Sequence, residues 1–174
     1  MSQDEYTEIR SARDRLQPAL LDRLTDDEPG KKSESVGQRA IGATQLRAIV
    51  LRDLAWLLNC TNAEAETDFR AFPEARRSVV NFGLRALSGN LVSEIQWSDL
   101  EQSLHNAIST FEPRIIKETL VVKALVLKGA ESHNIVSFEI RGKLWAQPYP
   151  LELLLRSNLD LESGQVALIE QRIG

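Results

Sequence analysis

The chain has 174 residues, of which 43% are hydrophobic and 26% are charged. These proportions are typical of a folded domain with its own core and exclude a disordered chain. With 21 Lys and Arg residues against 25 Asp and Glu residues, the net charge is −4. The sequence therefore lacks the concentrated positive charge that nucleic-acid binding requires, and we expect no nucleic-acid partner.

The sequence also gives no sign of a secreted, membrane-spanning or metal-binding protein. Its N-terminus is acidic and polar, and its longest apolar runs are too short to cross a bilayer. Cys60 is the single cysteine, which excludes an intramolecular disulfide, and we expect its thiol to be buried as a small apolar group. The two histidines, His105 and His133, lie far apart without cysteine partners. We therefore expect an intracellular protein with no metal and no cofactor.

The N-terminal part of the chain, residues 1–43, is predicted to be an arm. Residues 25–42 are charged, contain proline and glycine, and show no periodicity, which predicts a flexible linker. The short helix before this linker either folds back onto the rest of the chain or binds a partner. We expect residues 44–174 to form a single domain. Three leucines share one face of the short helix: Leu20, Leu21 and Leu24.

Two longer helices are predicted in the domain. The first has Thr44 as its N-cap and an apolar stripe at three- and four-residue spacings, and we place Trp56 in the core. The second is predicted to begin with a capping box of Ser98 and Glu101, with Trp97 as the hydrophobic residue before the cap. It is expected to end before Pro113, because proline disfavours helical geometry in the preceding residue.

After this proline the apolar period changes from about 3.6 to 2, which predicts β-strands. Helices followed by strands predict an α+β fold, with N-terminal helices packed on a small antiparallel or mixed sheet formed by the C-terminal half. Four strands are predicted: residues 120–127, 136–144, 151–156 and 166–169.

Six segments of the chain resemble segments of a known family: Pro18–Leu24, Leu51–Asn59, Ser78–Leu84, Phe111–Arg114, Gly142–Trp145 and Leu159–Gly164. Together and in this order they resemble the TssE family of type VI secretion baseplate proteins, related to the small baseplate wedge protein of contractile-tailed phages. Phe82 stands where the family usually has tyrosine, and Arg85 where proline is common. The resemblance implies a non-enzymatic subunit in the cytoplasm, at the cytoplasmic face of the inner membrane without insertion into it. It implies TssF, TssG and TssK as baseplate partners and a platform role for the TssB–TssC sheath.

Glu112, Pro113 and Arg114 lie at the predicted helix-to-sheet junction, where a rigid proline separates two opposite charges. A guanidinium offers a planar fork of donors to carboxylates or carbonyls of a partner. Our hypothesis is that Glu112 and Arg114 dock onto the TssF–TssG core, and the alternative is an internal ion pair. The other candidate partner-binding residues are Leu20, Leu21, Leu24 and Trp145.

A sheet edge is a second candidate surface, because its unpaired backbone groups can bind a strand from another chain. Val136–Leu144 and Val166–Ile169 are candidates for this edge, and the alternative places both inside the sheet. Two rival functions also stay open. Relatives have been labelled lysozyme-like, but a glycoside hydrolase needs two carboxyl groups, and no partner for Glu112 is identifiable. The same fold also resembles that of an antiadaptor that blocks a proteolysis adaptor in bacteria.

Overall fold

The computed structural model describes residues 19–25, 29–30, 41–86, 96–125, 135–146 and 149–170. Helices come first along the chain and strands follow, which confirms the predicted α+β class. The helices are α1 (Leu20–Leu24), α2 (Ala43–Asn59), α3 (Pro73–Arg76) and α4 (Trp97–Phe111). The strands are β1 (Val121–Leu125), β2 (Ile135–Leu144), β3 (Leu151–Asp160) and β4 (Val166–Glu170). Most of the predicted linker and the predicted turn after β1 lie outside the described residues.

The four strands form one sheet in the order β1-β2-β3-β4, and every neighbouring pair is antiparallel. The open choice between an antiparallel and a mixed sheet is therefore settled as antiparallel. β3 extends four residues beyond the predicted end at Arg156 and pairs with β2 along its whole length. Gly164, with φ of 72°, allows the tight turn that brings β4 back beside β3.

Both long helices pack on one face of the sheet, with α2 against β4 and α4 against β1. One cluster of buried apolar residues runs from Ile41 to Val166. The inner face of β2 shows the expected alternation, because Val136, Phe138 and Ile140 are all buried. The opposite face of the sheet is solvent-facing and carries charged side chains between apolar ones. Among the described residues, no helix is both long enough and apolar enough to span a bilayer.

Three local predictions about α2 are wrong. The helix begins at Ala43 with Gly42 as its N-cap, and Leu46 N–H closes the first turn on the Gly42 carbonyl at 2.9 Å, so Thr44 is an ordinary helical residue. Trp56 is 52% exposed, because its position lies off the stripe that faces the sheet. Cys60 follows the last helical residue and is exposed.

The predicted capping box at the start of α4 is also wrong. Gln96 is the N-cap and makes no side-chain capping bond, and Trp97 is the first helical residue, packed against the core. The Ser98 hydroxyl lies 3.5 Å from Asp99. Glu101 instead accepts a hydrogen bond from the backbone N–H of Ala124 in β1, at 2.7 Å. A contact distant in sequence has therefore replaced the local one.

A close backbone approach joins the end of α2 to the segment before α4. Leu84 N–H donates to the Cys60 carbonyl at 2.8 Å, and Asn62 N–H donates to the Leu84 carbonyl at 2.8 Å. Gly83 lies inside this contact with φ of +121°, and a Cβ atom there would stand 2.3 Å from the Cys60 oxygen. Only glycine fits this position without moving the backbone.

Candidate partner-binding site

The Glu112–Arg114 corner is a tight turn directly after α4. Glu112 is 3% exposed, and its Oε1 accepts hydrogen bonds from the backbone N–H of Arg114 at 3.1 Å and from its Nε at 2.7 Å. Arg114 Nη2 donates to Oε2 of the same carboxylate. Pro113 lies between them, exposed at the tip of the turn. The two charged side chains therefore bind each other across the proline.

A second carboxylate, from α2, also holds Arg114. Asp53 Oδ2 accepts a hydrogen bond from Arg114 Nη2 at 2.6 Å. Asp53 Oδ1 accepts from Nε and Nη2 of the neighbouring Arg52 at 2.9 and 2.8 Å. Arg52 Nη1 in turn donates to Asp22 Oδ1 in α1 at 2.5 Å. We call this row of alternating charges the ionic chain: Asp22, Arg52, Asp53, Arg114 and Glu112.

The ionic chain keeps both arginines charged. Burial lowers the pKa of Arg114. Its hydrogen bonds to Glu112 and then Asp53, together with the charges of both acids, raise this pKa by more than burial lowers it, so the pKa lies above its ordinary value. Hydrogen bonds to Asp22 and then Asp53 likewise raise the pKa of Arg52. The two guanidinium groups therefore stay charged at physiological pH.

Arg114 retains one free hydrogen-bonding nitrogen. Its Nε and Nη2 bind the two carboxylates, and its Nη1 has no partner among the described residues. The side chain is 25% exposed. A guanidinium has five N–H donors, so Nη1 can donate two hydrogen bonds to a group on another protein. The internal ion pair predicted as the alternative is present, and it leaves room for docking.

Trp145 lies beside this corner. Its backbone N–H donates to the carbonyl of Arg114 at 2.7 Å, and the neighbouring residues Ile115 and Leu144 form an isolated antiparallel bridge. Trp145 is 56% exposed, as binding to a partner requires. The structure thus brings two candidate partner-binding residues together. Trp and Arg are the residue types most enriched at the energetic centres of protein interfaces.

The three candidate leucines of α1 are joined to the same region through Asp22. They are between 46% and 75% exposed, so the helix does not bury its apolar face against the described part of the chain. It contacts α2 through the ion pair of Asp22 with Arg52, and the second oxygen of Asp22 is buried with no hydrogen-bond partner among the described residues. The three exposed leucines of α1 are Leu20, Leu21 and Leu24.

Trp56 extends this apolar surface, and the sequence reasoning missed it. The guanidinium carbon of Arg52 lies 5.1 Å from the centre of the Trp56 ring, a cation–π geometry. The spacing of four residues between them on a helix was the signal that could have revealed this contact. Exposed apolar side chains therefore lie at both ends of the ionic chain, with Trp145 at one end and Trp56 with α1 at the other.

The sheet topology decides between the two candidate edges. Val136–Leu144 lies within β2, which is paired on both sides, so its assignment as an edge is wrong. Val166–Ile169 lies within β4, which is an edge strand, and β1 is the other edge. In the described part of the chain, the edges at which a partner strand can add are therefore β4 and β1.

The chain matches the family described as baseplate wedge protein gp25 over residues 44–149, more than half of its length. The chain belongs to this baseplate wedge family. This is the family of TssE, so the resemblance found in the sequence is confirmed. Comparisons with curated proteins and with solved structures give no match.

The match to the baseplate wedge family includes most of the candidate site. α1 with Asp22, and strands β3 and β4, lie outside the matched range. Membership gives the chain a structural role in a baseplate, among other baseplate proteins. Within the described ranges, no cluster of His, Cys, Asp or Glu side chains has the arrangement of a metal site. The residues of the candidate site that lie inside the matched range are Arg52, Asp53, Glu112, Arg114 and Trp145.

Proposed function

We propose that this member of the baseplate wedge family is a structural subunit of a type VI secretion baseplate, at the cytoplasmic face of the inner membrane. It docks onto TssF and TssG through the Glu112–Arg114 corner, with TssK in the same baseplate. It offers its sheet edge as the platform on which the TssB–TssC sheath starts to assemble. Residues 44–174 form the wedge domain and residues 1–43 form an arm that contributes the leucine face of α1.

The observation that carries the docking proposal is the Nη1 of Arg114, which has no partner among the described residues, beside the exposed Trp145. Two carboxylates fix the guanidinium, so little side-chain entropy is lost when a partner binds it. A partner carboxylate or carbonyl at Nη1 receives a charge-assisted hydrogen bond, which is roughly twice as strong as a neutral one. The exposed Trp145, whose backbone N–H binds the carbonyl of Arg114, supplies apolar area in the same region. Such a site favours a partner whose surface presents an acidic or carbonyl group beside an apolar one.

The arrangement of acids supports a structural rather than a catalytic role. A glycoside hydrolase needs one carboxylic acid that stays protonated and a second carboxylate across a substrate site. Glu112 and Asp53 both bind Arg114, which occupies the space between them. A cavity of about 620 Å³ lies elsewhere, and its lining includes Glu64 and Asp68. Hydrogen bonds from Arg76 and Arg70 lower the pKa values of these two acids, which is the wrong direction for a general acid.

Co-purification with TssF and TssG tests the proposal. Arg114→Lys keeps the positive charge but loses the planar fork, so we expect at least a tenfold loss of TssF–TssG capture. The matched control is Arg70→Lys. Arg70 binds Asp68, two residues earlier, in the same geometry, but the Arg70 side chain is 91% exposed. Far-UV circular dichroism checks that both variants are folded. A folded Arg114→Lys variant that captures TssF–TssG like the wild type would refute docking through this corner.

A further inference from the structure

The side chain of Asn59, the last residue of α2, binds the outer margin of the sheet. Its Nδ2 donates to the carbonyl of Val166 at 2.9 Å, and its Oδ1 accepts from the N–H of Val166 at 2.8 Å. Nδ2 also donates to the Ala55 carbonyl at 2.8 Å, which anchors the amide to the helix. A side-chain amide carries the same donor and acceptor as a peptide group. Asn59 therefore fills the place that one residue of a neighbouring strand would take.

This contact defines which backbone groups of β4 remain open. The N–H and C=O of Val166 point away from β3, and peptide directions alternate along a strand. Those of Leu168 therefore point to the same outer margin, while Ala167 and Ile169 point towards Asn158 and Arg156 of β3. In the described part of the chain, no side chain binds the outer backbone groups of Leu168. The open part of this edge begins at Leu168.

The opposite margin is covered in a different way. Glu101 accepts from the N–H of Ala124 in β1, and a carboxylate has no donor for the carbonyl of the same residue. Glu101 satisfies one edge group, whereas Asn59 satisfies both groups of its residue in the manner of a paired strand. The Asn59 side chain therefore takes the place of one residue of a paired strand, whereas the Glu101 side chain does not.

We propose that Asn59 sets the register in which a strand of another chain adds to β4. The incoming strand pairs with Leu168 and continues towards Glu170, and it stops before Val166 because both backbone groups there are already bonded. The partner is an extended segment with free backbone N–H and C=O groups. This inference rests on the proposed function, in which β4 offers the edge for the sheath.

Amide hydrogen exchange by NMR on the full chain tests the contact in the free protein. We expect the Val166 amide to exchange at least tenfold more slowly than the Leu168 amide. Asn59→Ala should accelerate Val166 at least tenfold and leave Leu168 within twofold, whereas Asn59→Asp, which keeps the acceptor, should retain the protection of Val166. The matched control is Glu101→Ala, which should accelerate Ala124 and leave Val166 unchanged. Equal exchange at Val166 in the wild type and in Asn59→Ala would overturn the proposal.

The same measurement with the TssB–TssC sheath complex as the probe tests the register. In the wild type, binding should protect Leu168 and leave Val166 unchanged. In Asn59→Ala, binding should protect Val166 as well, because the incoming strand gains one more pairing position. Protection of Leu168 with an unprotected Val166 in Asn59→Ala would refute the register and leave the platform function intact. Protection of neither amide would refute strand addition at β4 itself, and the register with it.

Discussion

The chain contains two turns of the same local design, and burial should make their contributions to stability very different. In each, an arginine binds the acid two residues earlier through its backbone N–H, Nε and Nη2: Arg114 with Glu112, and Arg70 with Asp68. The first pair is largely buried and is tied to Asp53, whereas the second is open to solvent. We therefore compare Arg114→Ala with Arg70→Ala.

The expected cost of Arg114→Ala follows from what the substitution leaves behind. Glu112, 3% exposed, keeps only the backbone N–H of residue 114 as a donor, and Asp53 keeps Arg52. Removing one partner of a buried ion pair costs about 3–5 kcal/mol, and these retained bonds favour the lower end, about 3 kcal/mol. For a chain of this size, that free energy corresponds to a fall in Tm of roughly 6–12 °C. Arg70→Ala should give no measurable change, because solvent screens an exposed pair.

Urea and thermal unfolding of the full chain, followed by far-UV circular dichroism, measure both variants. The wild type and the two alanine variants should share one m-value, so that the midpoints report stability alone. Equal midpoints for Arg114→Ala and Arg70→Ala would refute the argument that the buried corner contributes to the fold. In that case the ionic chain would contribute nothing beyond an ordinary surface pair.

Three further substitutions test other parts of the structure. Gly83→Ala should destabilise the chain by about 3 kcal/mol or more, because its Cβ would overlap the Cys60 carbonyl at an unfavourable φ; a midpoint in urea unchanged from the wild type would contradict this. Arg76→Ala should raise the pKa of Glu64, since the hydrogen bond from Arg76 is the main cause that lowers it, as an NMR carboxyl titration would show. Since the folded-state pKa is depressed, the stability that this pair contributes is present above the ordinary glutamate pKa and is lost as the pH falls through the folded value. Asn81→Ala should cost about 1–2 kcal/mol in urea unfolding, because it removes a buried side chain that binds two part-buried backbone groups, the N–H of Ala63 and the carbonyl of Arg76, and a loss below about 0.5 kcal/mol would show that water replaces it.

The sheet was predictable because its signal is local. The alternation of Val136, Phe138 and Ile140 with polar residues follows from the two-residue period of a strand, and that period requires no knowledge of the partner strands. The short helix at Leu20–Leu24 followed from a similar short-range pattern. Which strand lies at the edge did not follow, since strand order depends on pairing across the sheet.

The predictions that failed did so for different reasons. Glu101 could bind the N-terminus of its own helix or the N–H of Ala124, and the packing of α4 against β1 favoured the strand. Trp56 was placed in the core because its helix is apolar, yet its ring packs on Arg52. Asp53 carried no pattern of its own, although it joins two arginines that are 62 positions apart in the printed sequence.

The members of the ionic chain come from three separate parts of the sequence: residue 22, residues 52–53 and residues 112–114. The link from Asp53 to Arg114 closes only when α2 has packed beside the end of α4, so it depends on a contact between residues that are distant in sequence. A chain in which α2 has not yet packed there lacks the second carboxylate that holds the Arg114 guanidinium. Assembly through this corner would therefore favour fully folded subunits over incompletely folded ones, without a separate quality-control factor.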